Sequence, residues 1–187
     1  MTLDTQLFFL LNNLAGRSPL FDGVVVFLSS YLAYILIIVF LALVFFSVYS
    51  KREKLEILLI AVVSSLVARF GITELIRFFY HRPRPFLTFN VHQLIPEPSW
   101  SFPSGHATFF FALSTAIYLY NKKWGIGFFG ATILMTVGRV CAGIPCPSEI
   151  LGGAILGGAV AYATFRITHA LSTRAPVQSA IDKKMTV

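Results

Sequence analysis

The nine-residue segment RFFYHRPRP contains three arginines, Arg77, Arg82 and Arg84. Guanidinium groups are permanently charged and fork-shaped, so Arg77 and Arg84 are suited to clamp the oxygens of a phosphate group. Pro83 and Pro85 stop the preceding helix and stiffen the chain that follows it. Because arginines near a helix end can also snorkel to lipid headgroups, this segment alone leaves both interpretations open.

The segment SFPSGHATFF, residues 101–110, has the residue types of a helix start that binds an anion. Ser104 is a favourable N-cap residue, and Gly105 allows a ligand to approach the backbone closely. The free N–H groups and the dipole of such a helix attract an anion. His106 can donate a hydrogen bond or a proton near neutral pH. The alternative is an ordinary capped helix with an incidental histidine.

The segment RVCAGIPCPSEILGG, residues 139–153, joins the end of one apolar stretch to the start of a glycine-rich one. Arg139 ends the first stretch, where an unpaired charge would be costly, so a bound anion or Glu149 is expected to compensate it. Pro145 lies in the middle of the segment and has neither a nucleophilic atom nor a titratable group. The segment therefore favours anion binding and leaves open how any reaction would proceed.

The composition indicates which elements position these segments. The 187 residues are 56% hydrophobic and only 12% charged, and the mean hydropathy is +0.76. The run YLAYILIIVFLALVFFSVY, residues 31–49, carries no charge. About 20 apolar residues suffice to cross the hydrocarbon core of a bilayer as a helix. The chain is therefore expected to be an integral membrane protein.

The apolar stretches predict an all-α fold, a polytopic membrane helix bundle. Five spans are expected, at residues 31–50, 55–79, 104–121, 124–141 and 148–170. The N-terminal segment LDTQLFFLLNNLAG is short and amphipathic, which is typical of an interfacial or re-entrant helix. Residues 20–30 either extend the first span or form half of a sixth one. We expect a single domain, residues 1–171, and a loose, polar cytoplasmic tail, residues 172–187.

The charges of the short loops predict the orientation. The loops at residues 50–54 and 121–124 carry lysines, as does the tail, and all three fall on one side if five spans alternate. Lysine-rich loops are typical of the cytoplasmic side. The loops at residues 80–103 and 142–147 then share the outer face. The arginines of the first segment break this charge rule, which indicates that the chemistry is located at the outer face.

The remaining global features restrict the partners. The formal net charge of +7 is attributed to the cytoplasmic loops, so no nucleic-acid partner is expected. Cys141 and Cys146 are too few for a disulfide framework, although a single bridge between them is an alternative. The N-terminus MTLDTQLFF has no basic region and no small-residue cleavage site, so no removable signal peptide is expected. The pattern indicates no particular oligomeric state.

Together the three segments resemble the motifs of the type 2 phosphatidic acid phosphatase and vanadium haloperoxidase superfamily. That pattern is a basic residue, six others and Arg-Pro, then Pro-Ser-Gly-His, then Ser-Arg, five others, His, three others and Asp. Arg77 with Arg84 and Pro85 is similar to the first motif, with arginine in the usual lysine place. Residues 103–106 match the second motif completely. The resemblance covers about residues 3–170.

The resemblance implies a role for each matching residue. The phosphate oxygens would be bound by Arg77, Arg84, Ser104, Gly105 and Arg139. His106 would protonate the leaving oxygen, while the histidine of the third motif would attack phosphorus and form a phosphohistidine. No metal and no cofactor is implied. The fold and the chemistry would be those of a membrane lipid phosphatase.

The resemblance also implies a substrate class and a location. Small bacterial members of the superfamily commonly act on undecaprenyl diphosphate or on phosphatidyl phosphates at the outer membrane face. The expected ligand is therefore the phosphate or diphosphate head of a membrane lipid. The pocket is expected to face the periplasmic side of the bacterial inner membrane.

The third motif departs from the family pattern at its reactive positions. Counted from Arg139, the attacking histidine position holds Pro145, and the orienting aspartate position holds Glu149. Loss of a covalent nucleophile usually costs several orders of magnitude in rate, so severely impaired hydrolysis, as in a pseudoenzyme, is expected. Glu149 is then expected to complement the dipole of the following helix and to pair with Arg139.

Three hypotheses follow for the activity. The first is a degenerate phosphatase retained as a lipid-phosphate binder. The second is a working phosphatase with a substitute nucleophile, either Cys146, whose thiol would need a lowered pKa, or His106. The third is an altered copy of an active undecaprenyl-diphosphatase, because His to Pro and Asp to Glu each need one base change.

Two further pairs of residues allow more than one interpretation. Arg69 and Glu74 lie inside the second span, where ionisable residues indicate function by default. Glu74 is three residues before Arg77, so it is also expected to hold that arginine in place. Gly153 and Gly157, at four-residue spacing, permit close helix contact either within the bundle or in a dimer.

Overall fold

The computed structural model describes the backbone of residues 2–185 and the side chains of residues 2–171. Within these residues the chain forms helices and no strand, so the predicted all-α membrane fold is confirmed. The helices are α1 (Leu3–Asn12), α2 (Pro19–Phe46), α3 (Lys51–Phe79), α4 (Pro85–Thr88), α5 (Gly105–Tyr120), α6 (Lys122–Cys141) and α7 (Pro147–Met185).

In the part of the chain that the structure describes, four helices are long and apolar enough to cross a membrane, namely α2, α3, α6 and α7 as far as Leu171. The remaining predicted span, at residues 104–121, corresponds to α5, which has only 16 residues. Helix α5 packs against α3, α6 and α7, so it lies in the middle of the bundle. The predicted polar tail begins beyond Leu171. Its backbone continues as helix to Met185 instead of being irregular, and its side chains lie outside the described part of the chain.

The first span differs from its predicted boundaries of 31–50. Helix α2 begins at Pro19 and ends at Phe46, so residues 20–30 extend this span. Proline is favoured in the first turn of a helix because its missing N–H would have no partner there, and its fixed φ suits the helix. The preceding helix α1 is docked on α6 and α7, and its Phe8 is fully buried.

Helices α2 and α3 each contain one π-helical turn. These turns comprise Phe27–Tyr31 in α2 and Val67–Ile72 in α3. A π turn holds one more residue than an α turn and is frequent at functional sites. Ser29 in the first turn and Arg69 in the second both contribute to the site described below.

The loops 80–103 and 142–146 lie against each other at one end of the bundle, here called the loop end. The amide of Leu94 donates a 3.1 Å hydrogen bond to the Ala142 carbonyl. The side chain of Asn12, at the end of α1, donates to the carbonyls of His92 (2.8 Å) and Cys141 (2.9 Å). Helix α1 therefore joins two segments that are far apart in sequence.

Helices α5 and α7 are in close contact through two glycines. A Cβ atom on Gly153 would lie 2.8 Å from the Ser104 carbonyl oxygen, and one on Gly157 would lie 2.3 Å from that of Thr108. Small residues allow two helix backbones to approach this closely. Of the two interpretations of these glycines, the structure shows packing within the bundle. The contact also holds the start of α5 against α7.

We expect Gly157→Ala to destabilise the protein, because the new methyl group would collide with backbone atoms that cannot rotate away. Forced overpacking typically costs about 1–3 kcal/mol. Gly158→Ala is the matched control, since its Cβ would meet no atom closer than 3.6 Å. The midpoint of thermal unfolding in detergent measures both variants. Equal midpoints for Gly157→Ala and Gly158→Ala would contradict the packing described here.

Candidate functional site

Arg139, at the end of α6, forms an ion pair with Glu97 of the loop 80–103. The distance between Arg139 Nη2 and Glu97 Oε2 is 2.9 Å, and Arg84 Nη2 lies 3.9 Å from Glu97 Oε1. Both arginines are about 4% exposed. The expected pairing of Arg139 with Glu149 is therefore wrong. Arg139 pairs with Glu97 of the loop, and Glu149 pairs with Arg82.

The charges in this cluster stabilise one another. Burial disfavours the ionised form of Glu97, but the charges of Arg139 and Arg84 outweigh burial and lower its pKa below the usual value near 4.5. Burial lowers the pKa of Arg84 to about 10, against the opposing effect of Glu97. Both groups are therefore charged at neutral pH. The carboxylate occupies a position between two arginines that another anion could take.

Arg77 holds the turn that precedes α5. Its Nη2 donates to the Pro103 carbonyl at 3.0 Å, and its Nη1 lies 3.1 Å from Glu74 Oε1, the contact expected from their spacing. Among the described residues, the buried Nε atoms of Arg77 and Arg139 have no hydrogen-bond partner. Leaving a buried donor unpaired costs about 1–3 kcal/mol. These two groups therefore point to a missing acceptor.

The second motif forms the start of α5, with Ser104 at the N-cap position. The Ser104 hydroxyl makes no capping hydrogen bond, while its amide donates to the Glu149 carbonyl at 3.0 Å. His106 Nε2 lies 3.4 Å from Arg139 Nη1. Arg139 also donates to the Ser29 carbonyl at 3.3 Å. The imidazole and the guanidinium thus face the same space.

That space is a cavity of about 440 Å³ with a polar end and an apolar wall. The polar end comprises Arg69, Glu97, Gly105, His106 and Arg139. The apolar wall comprises Ala33, Tyr34, Ile37, Phe70, Phe109 and Phe110. Tyr34 and Phe70 are more than half exposed, so the apolar wall continues to the lipid-facing surface of the helices. Of the other predicted site residues, Arg77, Arg84 and Ser104 are not part of this lining.

The third motif lies around a second cavity of about 220 Å³, which Arg82, Cys146 and Glu149 help to line. Glu149 is fully buried. Its Oε2 accepts from the Cys146 amide at 3.0 Å, and its Oε1 is 3.2 Å from Arg82 Nε. Pro145 is buried in the connection between α6 and α7. These contacts hold the Glu149 carboxylate against Cys146, the residue that follows the nucleophile position Pro145.

Asp4 of α1 stabilises the same segment, a contribution that the sequence did not indicate. Its Oδ1 accepts from the Ser148 amide at 2.8 Å, so it caps α7, and its Oδ2 pairs with Arg82 at 2.9 Å. Burial opposes ionisation of Asp4, but the hydrogen bonds from Ser148 and Arg82 prevail and lower its pKa. The partners are 78 and 144 positions away. No local pattern could have revealed them.

The surroundings of Cys146 do not favour a nucleophile. Burial, with the nearby carboxylates of Glu149 and Asp4, raises the pKa of the Cys146 thiol to about 12. A thiol with that pKa is almost entirely protonated at neutral pH, whereas the thiolate is the attacking form. Cys141 and Cys146 are both free, so the alternative of a bridge between them is not realised.

No group of three His, Cys, Asp or Glu side chains with the arrangement of a metal site occurs among the described residues. The predominant charged groups near the larger cavity are arginines, which suit oxyanions rather than cations. The arrangement presents cationic groups and the imidazole of His106 to the same cavity. Glu97 is the member of this cluster that the sequence did not indicate. It is the only acidic residue in the loop 80–103, which was the available signal.

Comparisons with known proteins identify the family of the chain. The chain is 28% identical to undecaprenyl-diphosphatase BcrC of Bacillus subtilis over 90% of its length and 86% of that protein. It is 28% identical to an undecaprenyl-diphosphatase of Sulfolobus acidocaldarius, covering 88% of this chain and 78% of the other. The crystal structure of Aquifex aeolicus LpxE superimposes with a TM-score of 0.70 at 27% identity, covering 89% and 96% of the two chains. The model of the PAP2 superfamily matches residues 55–172, and the chain belongs to that superfamily.

Proposed function

We propose that this multi-pass membrane protein binds the phosphate or diphosphate head of a lipid in the 440 Å³ cavity and hydrolyses it very slowly. The observation that carries the proposal is the unpartnered buried Nε atom of Arg139, a residue that lines this cavity; a second such atom lies on the nearby Arg77. A phosphate oxygen is an acceptor that suits such donors, since charge-assisted hydrogen bonds are strong and guanidinium matches phosphate in shape.

The shape of the cavity supports an amphiphilic ligand. Its polar end lies next to the loop end of the bundle, and its apolar wall reaches the lipid-facing side chains Tyr34 and Phe70. A lipid could therefore place its head beside Arg139 while its chain stays in the bilayer. Pockets of about 300–1,000 Å³ are typical of small-molecule sites. The names of the two enzyme relatives favour a polyprenyl diphosphate as the ligand.

Each residue of the cluster has a role in this proposal. Arg139 neutralises the charge of the headgroup, and the nearby Arg77 and Arg84 add to the positive potential. The ligand displaces Glu97 from Arg84 and Arg139. His106 donates a proton to the oxygen that leaves phosphorus, since it faces the same space as Arg139. The position of the attacking group holds Pro145, which has no atom able to form a bond to phosphorus. Binding is therefore retained while bond cleavage is not accelerated by a covalent intermediate.

The direct test is to measure binding of a polyprenyl diphosphate and release of phosphate with the purified protein in detergent. We expect the lipid diphosphate to bind saturably and phosphate to be released at close to the background rate. Fast release that disappears in Cys146→Ser or His106→Ala would instead show a substitute nucleophile. Absence of binding at millimolar lipid would overturn the proposal as a whole.

We also propose that the loop end faces the periplasm, in the inner membrane of a bacterium. The supporting feature is the placement of Lys51, Lys54, Lys122 and Lys123 at the opposite end, because lysine-rich loops stay in the cytoplasm. In intact cells, an impermeant thiol reagent should therefore label His92→Cys and leave Lys122→Cys unlabelled. Both positions are exposed, and the native cysteines are buried, so the parent chain measures the background. The reverse labelling pattern would invert the orientation.

A further inference from the structure

Arg69 is a charged residue inside a membrane span that the motifs of the superfamily do not include. It lies in the π-helical turn of α3, eight positions before Arg77. At 1.5 Å per residue, this separation places its backbone roughly 12 Å deeper in the membrane. Ionisable groups at such a depth are costly and are usually retained for a functional reason. The surroundings of the Arg69 guanidinium indicate what that reason is.

The guanidinium of Arg69 lies directly over the start of α5. A Cβ atom on Gly105 would be 2.4 Å from Arg69 Nε and 2.8 Å from its Cζ, so only glycine leaves room for this contact. Arg69 lines the same cavity as His106 and Arg139, and its Cζ is 5.0 Å from the ring centre of Phe70. The guanidinium therefore borders the polar end of the cavity where the apolar wall begins.

Arg69 is linked to the phosphate-binding cluster through Glu74. Glu74 Oε1 accepts hydrogen bonds from both Arg69 Nη1 and Arg77 Nη1, so the two guanidinium groups are neighbours. Among the described residues, Nη1 is the only Arg69 atom with a hydrogen-bond partner. Glu74 is half exposed, at 47%, so it compensates Arg69 only weakly. The remaining N–H groups of Arg69 are available to a ligand in the cavity.

The arginines near the cavity outnumber the carboxylates that pair with them. Four arginines, at positions 69, 77, 84 and 139, face two carboxylates, Glu74 and Glu97, which leaves a net charge of +2 (four minus two) before Glu97 is displaced. Arg139 lies two positions before the end of α6 at the loop end, whereas Arg69 lies ten positions before the end of α3 and so starts deeper in the bundle. A headgroup with two phosphates could contact both arginines.

We propose that Arg69 binds the tail-side phosphate of a lipid diphosphate, so that Arg69 makes the pocket select diphosphates over monophosphates. This inference rests on the proposed function, in which the terminal phosphate binds to Arg139. A monophosphate held by Arg139 presents no second phosphate to Arg69, while a diphosphate contacts both. The competing explanation is structural, with Arg69 serving only to compensate Glu74.

The test compares the parent chain with Arg69→Gln, using farnesyl diphosphate and farnesyl phosphate as probes. Loss of a charge-assisted contact should raise the Kd for the diphosphate about tenfold or more, and should change the Kd for the monophosphate less than about twofold. Arg17→Gln is the matched control, because Arg17 is an exposed arginine that does not line the cavity. It should leave both dissociation constants unchanged.

Two further variants separate selection from folding. Arg69→Lys keeps the charge and should retain part of the preference for the diphosphate. Arg69→Gln combined with Glu74→Gln removes the Arg69 ion pair together with the Glu74–Arg77 contact. Because that second contact is lost for both probes, the double variant should show the same preference between the two probes as Arg69→Gln alone. Equal weakening of both probes, or no change in either, would overturn the inference. In contrast, a parent chain that binds neither probe would overturn the proposed function itself.

Discussion

Replacing Pro145 by His together with Glu149 by Asp should raise phosphatase activity about a thousandfold or more over the parent chain. Removing a covalent nucleophile from a hydrolase costs on the order of 10⁶ in rate, so restoring one has a large potential effect. A backbone that was shaped by proline could misplace the imidazole by about 1 Å, and such a shift loses roughly 100-fold. A gain of about 10⁴-fold would remain after such a loss, so a gain of about a thousandfold is expected as a minimum. Phosphate release from a polyprenyl diphosphate measures it.

The structure explains why Glu149 should cooperate with an introduced histidine. Glu149 Oε1 lies 3.2 Å from Arg82 Nε, yet it accepts no hydrogen bond among the described residues. The ion pair is therefore poorly aligned as a hydrogen bond, and this oxygen can accept an N–H from an imidazole. Pro145→His alone should consequently recover part of the gain. Glu149→Asp shortens the side chain by one methylene and restores the family residue.

A matched control for this rescue is Pro147→His, which places a histidine in the same segment at the first turn of α7. It should stay as slow as the parent chain, because the motif spacing is not met there. A double variant that binds the lipid but remains inert would contradict the explanation that the missing nucleophile is the whole defect. A parent chain that is already fast would contradict it as well.

Arg139→Ala should weaken binding of a lipid diphosphate by roughly 10- to 150-fold. A hydrogen bond to a charged group is worth about 1.5–3 kcal/mol, and Arg139 is the buried arginine that lines the cavity beside His106. Its loss also leaves Glu97 without its 2.9 Å partner, so the carboxylate adds repulsion towards the ligand. Isothermal titration with the detergent-solubilised protein measures the dissociation constant.

Glu97→Gln should have the opposite effect and strengthen binding several-fold. The neutral amide no longer competes for Arg84 and Arg139, and the loop stays nearly the same in size. Opposite signs at two residues that contact each other are difficult to produce by misfolding alone, since damage to the fold weakens binding in both cases. Unchanged binding in Arg139→Ala, with the variant folded, would assign these arginines to lipid headgroups at the membrane surface.

The spans and the three motif segments could be predicted from the sequence because both are local. An uncharged run such as residues 31–49 indicates a membrane helix wherever it occurs. The start of a helix is likewise predicted by residue type alone, at Pro103, Ser104 and Gly105. The predicted spans differ from the helices at their ends. The first span, for example, begins at Pro19, because the apolar residues 20–30 belong to the same helix.

The partners of the charged groups could not be predicted, because they depend on contacts between distant positions. Arg139 meets Glu97 across 42 positions, and Asp4 meets Ser148 across 144. The sequence offered Glu149 as the nearest acid to Arg139, but that carboxylate is paired with Arg82 and the Cys146 amide. Proximity along the chain was a poor guide to pairing here. The topology of the bundle decides it.

The two π-helical turns have a consequence for how this chain aligns with others. Each turn accommodates one residue more than a regular α-helix would, so Phe27–Tyr31 and Val67–Ile72 each correspond to a single-residue insertion in a span. A relative with an unbroken helix would have one residue fewer at this place. It would therefore align correctly only with a one-residue gap inside the transmembrane segment. An ungapped alignment would then match every following residue one position out, which corresponds to about 100° around the helix axis. It would assign Arg77, which follows the second turn, to the wrong face of the helix.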